Sequence, residues 1–263
     1  MTESIGRDLV EFAHRLADAA GEIVRPAARS RRVAHRKADA SPVTDIDRAV
    51  EVRLREMIAA RYPGHGVIGE EFGDDRGEAE HVWVLDPVDG TKAFMAGLPV
   101  YGTLIGLARG GHPALGIIDQ PVTRERWTGI GGDGTWYNGE RVHAGACDGL
   151  SDALVCTTSA EYYEGSDAHA FRRILSCARW MVYGGNCLAF AQVSCGLVDV
   201  ALETKVGVYD YCALVPVVAN AGGVMTGWRG EPLTLDTAPG GRILASGNRA
   251  VHEAAMACLA GDV

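Results

Sequence analysis

No apolar run in the 263-residue sequence approaches the ~20 residues a membrane-spanning helix requires. The start, MTESIGRDLVEFAHRLADAAGEIV, lacks the basic-then-apolar layout of a secretory signal. It reads as an amphipathic helix, with Leu9, Phe12, Leu16, Ala20 and Ile23 on one stripe. None of the seven cysteines forms a C-x-x-C pair, and their number is odd, so neither a zinc site nor a thiol nucleophile is indicated. Several sit in apolar runs, where cysteine behaves as a small hydrophobe; a reducing cytoplasm is the expected compartment. A serine nucleophile elbow, G-x-S-x-G, is missing. Positive charge is in deficit, with 25 Lys and Arg against 34 Asp and Glu, and a net charge of −9 argues against nucleic acid as a partner. Internal repeats, low-complexity tracts and long linkers are also missing.

What is present is a core-forming composition, 47% hydrophobic and 22% charged. A second helical pattern begins near Asp47 and carries Val50, Leu54, Met57 and Ile58 before YPGHG stops it. From Val67 to about Arg141 the pattern changes to short β-type runs separated by Gly- and Pro-rich turns, an antiparallel meander. After about residue 143, strands alternate with helices. ALVCTTS, VDVALET and GRILASG read as strands; AHAFRRILSCA, CLAFAQVSCG, YDYCALVPVVANAGG and AVHEAAMACLA read as helices. The expected organisation is an α+β half over 1–142 joined to an α/β half over 143–263, one compact unit.

Acidic residues stand at the ends of several of these elements. Asp45 and Asp47 lie in SPVTDID, Glu70 and Glu71 in GEEFG, Asp86 and Asp89 in WVLDPVDGTKAF, and Asp210 in YDYCALVP. Taken singly, each fits a structural role: Asp47 as a helix N-cap, DPVDG as a type I turn, Asp210 beside a helix dipole. DPVDG lacks the alternating ligands and closing Glu of an EF-hand. In combination the acids suit hard cations such as Mg²⁺, which take oxygen ligands and keep some waters. Asp-Pro-x-Asp at a strand end can supply two carboxylates and an intervening carbonyl. The amides of Gly90 and Thr91, at the start of a short helix, then offer a phosphate cradle. Metals beside an anion cradle point to phosphoryl transfer to water.

These segments, GEEFG, WVLDPVDGTKAF and YDYCALVPVVANAGG with SPVTDID upstream, resemble the inositol monophosphatase family of Mg²⁺-dependent phosphomonoesterases, in order and spacing from about residue 37 to 247. The resemblance implies a five-layered αβαβα sandwich of the inositol monophosphatase / fructose-1,6-bisphosphatase type, usually a homodimer acting on a small-molecule phosphate monoester. It implies two to three Mg²⁺ ions. Glu70, Asp86 and the Val88 carbonyl would hold the first, and Asp86, Asp89 and Asp210 the second. Glu70 would also hold a third, with Thr91 and Asp47 activating the attacking water. By the same resemblance Asp89, Gly90, Thr91, Asn186, Glu203 and Asp210 would contact substrate, Gly90 and Thr91 through its phosphate. Glu71 and Lys37 also match motif positions, and Tyr209 stands where the family usually has Trp. YGGNCLAFAQVSCGLVDVALE and YDYCALVPVVANAGG look closest to the histidinol-phosphatase branch, although Asn186 replaces a common Asp. The expected activity is therefore histidinol-phosphate hydrolysis, the alternative an inositol, nucleotide or sugar monophosphate.

Overall fold

The computed structural model describes residues 5–30, 34–36, 42–237 and 240–261. Its first layer is a pair of helices, α1 (Arg7–Ala27) and α2 (Asp45–Arg61). α1 buries Phe12, Ala13, Leu16, Ala17, Ala20 and Val24, while Leu9 and Ile23 pack at its margin. A two-stranded ribbon, β1 (Ala34–Arg36) and β2 (Pro42–Thr44), leads into α2. The cap of α2 is Thr44 rather than Asp47. Thr44 donates its backbone N–H to Asp47 Oδ2 at 2.9 Å, so Asp47 is the third helical residue of a reciprocal capping box.

The second layer is an eight-stranded sheet. Its strands are β3 (Gly66–Gly69), β4 (Gly73–Asp75), β5 (His81–Asp89), β6 (Gly102–Arg109), β7 (His112–Gln120), β8 (Glu125–Ile130), β9 (Gly134–Tyr137) and β10 (Glu140–Val142). They lie in the order β10-β9-β8-β7-β6-β5-β3-β4, with β5 to β10 an antiparallel meander and β3 parallel to β5. Strand β5 is apolar along most of its length because both its faces are covered. Trp83 and Leu85 pack with α1 and α2, and Val82 and Val84 join Cys212 on the opposite side. After β5 comes the short helix α3 (Thr91–Ala96).

The remaining layers are built after residue 150. Five strands, β11 (Leu154–Thr157), β12 (Trp180–Tyr183), β13 (Val200–Val206), β14 (Val224–Gly227) and β15 (Gly241–Ser246), form a mixed sheet in the order β12-β11-β13-β15-β14. Helices α4 (Gly165–Cys177) and α8 (Arg249–Ala260) cover its outer face. Between the two sheets lie α5 (Cys187–Ser194), α6 (Val208–Tyr211) and α7 (Leu214–Asn220). The result is the five-layered αβαβα sandwich. YDYCALVPVV is two helices rather than one. Pro216 has no N–H for the Cys212 carbonyl four residues earlier, so the ladder breaks between α6 and α7.

The middle helices come unusually close to the large sheet. Gly106, Gly116 and Gly129 stand in direct register across β6, β7 and β8. A Cβ on Gly116 would lie 1.9 Å from the Ala213 carbonyl oxygen, and one on Gly129 2.3 Å from the Val217 nitrogen. The backbone of residues 212–217 therefore rests directly on this glycine row, and Asp210, just ahead of it, is delivered to the end of β5. Among the described residues no helix is long and apolar enough to cross a membrane.

Candidate active site

The site is built around an irregularity in β5. Asp86 pairs with Leu104 and Asp89 with Gly102, so three steps on β5 face two on β6. In a regular strand, residues three apart point to opposite faces; this bulge turns both aspartates to the same side. Pro87 is tolerated because a bulge frees its position from the ladder, and its carbonyl accepts the Thr103 hydroxyl at 2.8 Å. Asp86 Oδ1 also accepts the Val88 N–H at 3.0 Å.

Carboxylate oxygens of Asp86, Asp89 and Asp210 lie within 4.8 Å of one another. Asp210 caps the first turn of α6, its Oδ2 accepting the Gly207 N–H at 2.5 Å. Asp89 Oδ2 accepts the Cys187 N–H at 2.6 Å, which ties the end of β5 to the start of α5. Glu70 follows β3, its N–H donating to the Leu85 carbonyl at 3.2 Å, and its carboxyl lies close enough to that of Asp86 to raise it. Burial, then the charges of Glu70, Asp89 and Asp210, push the Asp86 carboxyl well above the usual range. Burial likewise raises Asp89, and burial with the charge of Asp89 raises Asp210 well above that range. Asp86, Asp89 and Asp210, with Glu70 beside them, repel one another around the buried Asp86, and a divalent cation among them would stabilise their charged forms together. The donors are all oxygen, the set for Mg²⁺ rather than for a soft metal.

Thr91, the first residue of α3, donates its hydroxyl to the Val88 carbonyl at 3.1 Å and lies 3.5 Å from Asp47 Oδ1. Gly90 has φ +84°, and a Cβ there would press against Asn186 and Tyr101. Asn186 itself takes a positive φ of 45°; its side-chain amide donates to the carbonyls of Val100 at 2.7 Å and Gly184 at 3.4 Å. Glu203 on β13 is buried, with Oε1 accepting the Thr158 N–H at 2.5 Å and the Thr157 hydroxyl at 3.3 Å. Burial outweighs those bonds and raises its carboxyl to about 7. Tyr209 lies between Gly207 and Asp210, its ring packed over the glycine. Lys37 lies outside the described residues.

Glu51 is a further organising residue, not singled out in the sequence reading. It is fully buried on α2 and accepts the N–H groups of Glu71 and Phe72 at 2.8 and 3.2 Å, as well as Arg55 Nε at 2.8 Å. It thereby moulds the GEEFG turn that presents Glu70. A Cβ on Gly69 would meet Glu51 Oε1 at 1.9 Å and push that carboxylate out of its hydrogen bonds. The signal was an acid on the buried stripe of α2, one turn after Asp47.

An αβαβα sandwich with this acid cluster at the end of its central strand is the architecture of metal-dependent phosphomonoesterases. The chain belongs to the inositol monophosphatase family, whose sequence pattern matches residues 7–261. It is 39% identical over 251 residues to the "Bifunctional phosphatase IMPL2, chloroplastic" of Arabidopsis thaliana, covering 93% of this chain and 72% of that protein. It is 36% identical over 230 residues to the histidinol-phosphatase of Mycobacterium tuberculosis (84% and 88% covered). Among solved structures, an inositol monophosphatase from Zymomonas mobilis superposes with a TM-score of 0.88 at 39% identity, covering 96% of this chain and 98% of that one. The protein is a phosphomonoester hydrolase of a metal-dependent family.

Proposed function

We propose that the chain hydrolyses histidinol phosphate, with Mg²⁺ held by Glu70, Asp86, the Val88 carbonyl, Asp89 and Asp210. Two to three bound ions would neutralise the phosphate and lower the pKa of the attacking water. The chain's own residues do the rest. Thr91 and Asp47 hold the water and take its proton, and the first amides of α3, at Gly90 and Thr91, orient the phosphate. The observation that carries the substrate reading is Glu203, a buried carboxyl beyond the acid cluster whose charge is only half developed near neutrality. A cationic amine beside it completes that ionisation, whereas a neutral polyol does not. The relatives named as histidinol-phosphatases support the same reading. Asn186, with its amide turned to Val100 and Gly184, serves in this reading to shape the substrate-side loop. The functional unit is a homodimer, and the chain's seven thiols, all free, suit a reducing cytoplasm.

The test is phosphate release from histidinol phosphate, inositol 1-phosphate and a nucleoside monophosphate, with Mg²⁺ and after exhaustive chelation. Activity is expected to vanish with the metal and to favour histidinol phosphate. Glu203→Gln keeps the bonds to Thr157 and Thr158 but removes the charge. It is expected to lower kcat/KM for histidinol phosphate by roughly ten- to a hundredfold, a hydrogen bond to a charged group being worth ~1.5–3 kcal/mol, and to spare the other two esters. Preference for a neutral-alcohol ester, with all three affected alike, would make inositol or nucleotide phosphates the substrate and leave the phosphatase chemistry standing. Thr91→Ala is expected to lower kcat about 100-fold with Mg²⁺ dependence unchanged, because it removes a proton-transfer partner; a normal kcat would exclude Thr91 from water activation.

A further inference from the structure

The cysteine side chains are spread over the molecule, and two of them meet. Cys177 ends α4, and Cys258 lies in the last turn of α8. Their sulfurs are 3.3 Å apart, in thiol–thiol contact. The other five lie elsewhere. Cys156, Cys187 and Cys212 are buried between the sheets. Cys147 donates to the Gly149 carbonyl at 3.3 Å, and Cys195 accepts the Trp127 indole N–H at 3.2 Å.

The two helices are already clamped at this end. Arg173, one turn before Cys177, donates Nε to the Cys258 carbonyl at 2.8 Å and a second guanidinium N–H to the Leu259 carbonyl. The backbone carrying one sulfur is thus held by the helix carrying the other. The sulfurs already stand 3.3 Å apart, roughly 1 Å beyond the ~2.05 Å of a disulfide. Cys177 is half-buried and within reach of a small oxidant, whereas Cys258 is buried.

We propose that Cys177 and Cys258 are a site of reversible covalent modification, a disulfide that fastens α4 to α8 when the protein meets hydrogen peroxide. In the first step the Cys177 thiolate attacks one peroxide oxygen, breaking the O–O bond. It becomes a sulfenic acid, and the other oxygen leaves as water after taking a proton. In the second, the Cys258 sulfur attacks the Cys177 sulfur. The S–S bond forms, the S–O bond breaks, and the departing hydroxide takes the Cys258 proton as a second water. The two thiols lose two electrons and the peroxide gains them. The half-buried Cys177 is the thiol the peroxide reaches and the buried Cys258 the one that resolves, and burial also pushes the Cys258 thiol up to about 12. The bridge closes a loop of about 80 residues, a length at which the entropy removed from the unfolded chain is large. It secures the outer layer of the small sheet, where Asp167 on α4 holds the Thr204 hydroxyl at 2.9 Å, next to Glu203.

The experiment treats the reduced, full-length protein with hydrogen peroxide, alkylates free thiols in denaturant, and maps the proteolytic peptides by mass. The expected result is the loss of two of the seven thiols, a linked peptide joining Cys177 to Cys258, and a Tm raised by about 5 °C or more. Dithiothreitol should reverse all three changes. Cys177→Ser, a near-isosteric change at a half-buried position, should show neither linkage nor shift. The proposal is overturned if all seven thiols still alkylate, or if Cys177 proceeds to a sulfinic acid beside a free Cys258. A linkage between other cysteines, or a bridge that leaves Tm unchanged, overturns it equally.

Discussion

Asp86→Asn is expected to lower kcat/KM by roughly 100- to 1,000-fold at saturating Mg²⁺, and at the same time to stabilise the metal-free protein. Both effects have one cause. Asp86 is central to the acid cluster, in contact with Glu70 and close to Asp89 and Asp210. Asparagine keeps its shape and can still accept the Val88 N–H, but it removes charge from a metal clamp worth several kcal/mol of transition-state stabilisation, or about 100- to 1,000-fold in rate. Without metal, the same charge is a liability, because burial and three neighbouring acids oppose its ionisation. Its folded pKa is raised above the unfolded value. Between the two the folded state binds more protons than the unfolded, so stability falls as pH rises from the unfolded carboxylate range toward neutrality. Wild-type protein in chelator should therefore melt lower at pH 7.5 than at pH 5, and the variant should lose much of that slope. Thermal melts in chelator at both pH values, with phosphate-release kinetics in Mg²⁺, check the prediction. Full turnover in the variant would remove Asp86 from the metal site, and an unchanged slope would show that its burial is already compensated.

Gly116→Ala should be the most damaging single-methyl addition in the large sheet. The new carbon would sit 1.9 Å from the Ala213 carbonyl oxygen and 2.7 Å from its carbon, both backbone atoms that no rotamer change can clear. The strand and α7 must then separate, at a cost of about 3 kcal/mol or more. For a chain of this size that lowers Tm by about 6–12 °C. Because α7 follows α6, the separation also draws Asp210 away from Asp86 and Asp89, so surviving folded protein should need more Mg²⁺ for half-maximal activity. Gly149→Ala is the control: its backbone is extended and a Cβ there meets nothing within 4 Å, so it should melt as wild type does. Equal melting of the two variants would mean that the layers have slack.

The acid motifs were legible because each is local. A strand running into Asp86, Pro87 and Asp89, and a helix beginning around Asp210, are patterns within a few residues. The bulge that turns Asp86 and Asp89 to one side was not legible, since it exists only in the pairing of β5 with β6. Asp47 read as a cap because the true cap, Thr44, satisfies the same preference three residues earlier. Both edge strands of the small sheet, β12 and β14, escaped notice: each is four residues long and borders a glycine-rich turn, so no alternation develops. Glu51 and the row of Gly106, Gly116 and Gly129 were hidden for a common reason. Their roles depend on which backbone lies opposite, and that is set by tertiary register rather than by neighbours in the chain.

That row gives the molecule two kinds of spacing. Where α7 and its N-cap cross Gly116 and Gly129, peptide groups of Ala213, Pro216 and Val217 meet strand backbone with no side chain between, so at those points the separation that positions the acids at the end of β5 is a fixed gauge. Glu203 stands on the other sheet, where α5, α4 and α8 are kept off the strands by side chains of many sizes. If Glu203 selects the alcohol as proposed above, remodelling that side would reshape its seat while the separation of the acid-cluster oxygens stays constant. A change of diet need not retune the reaction.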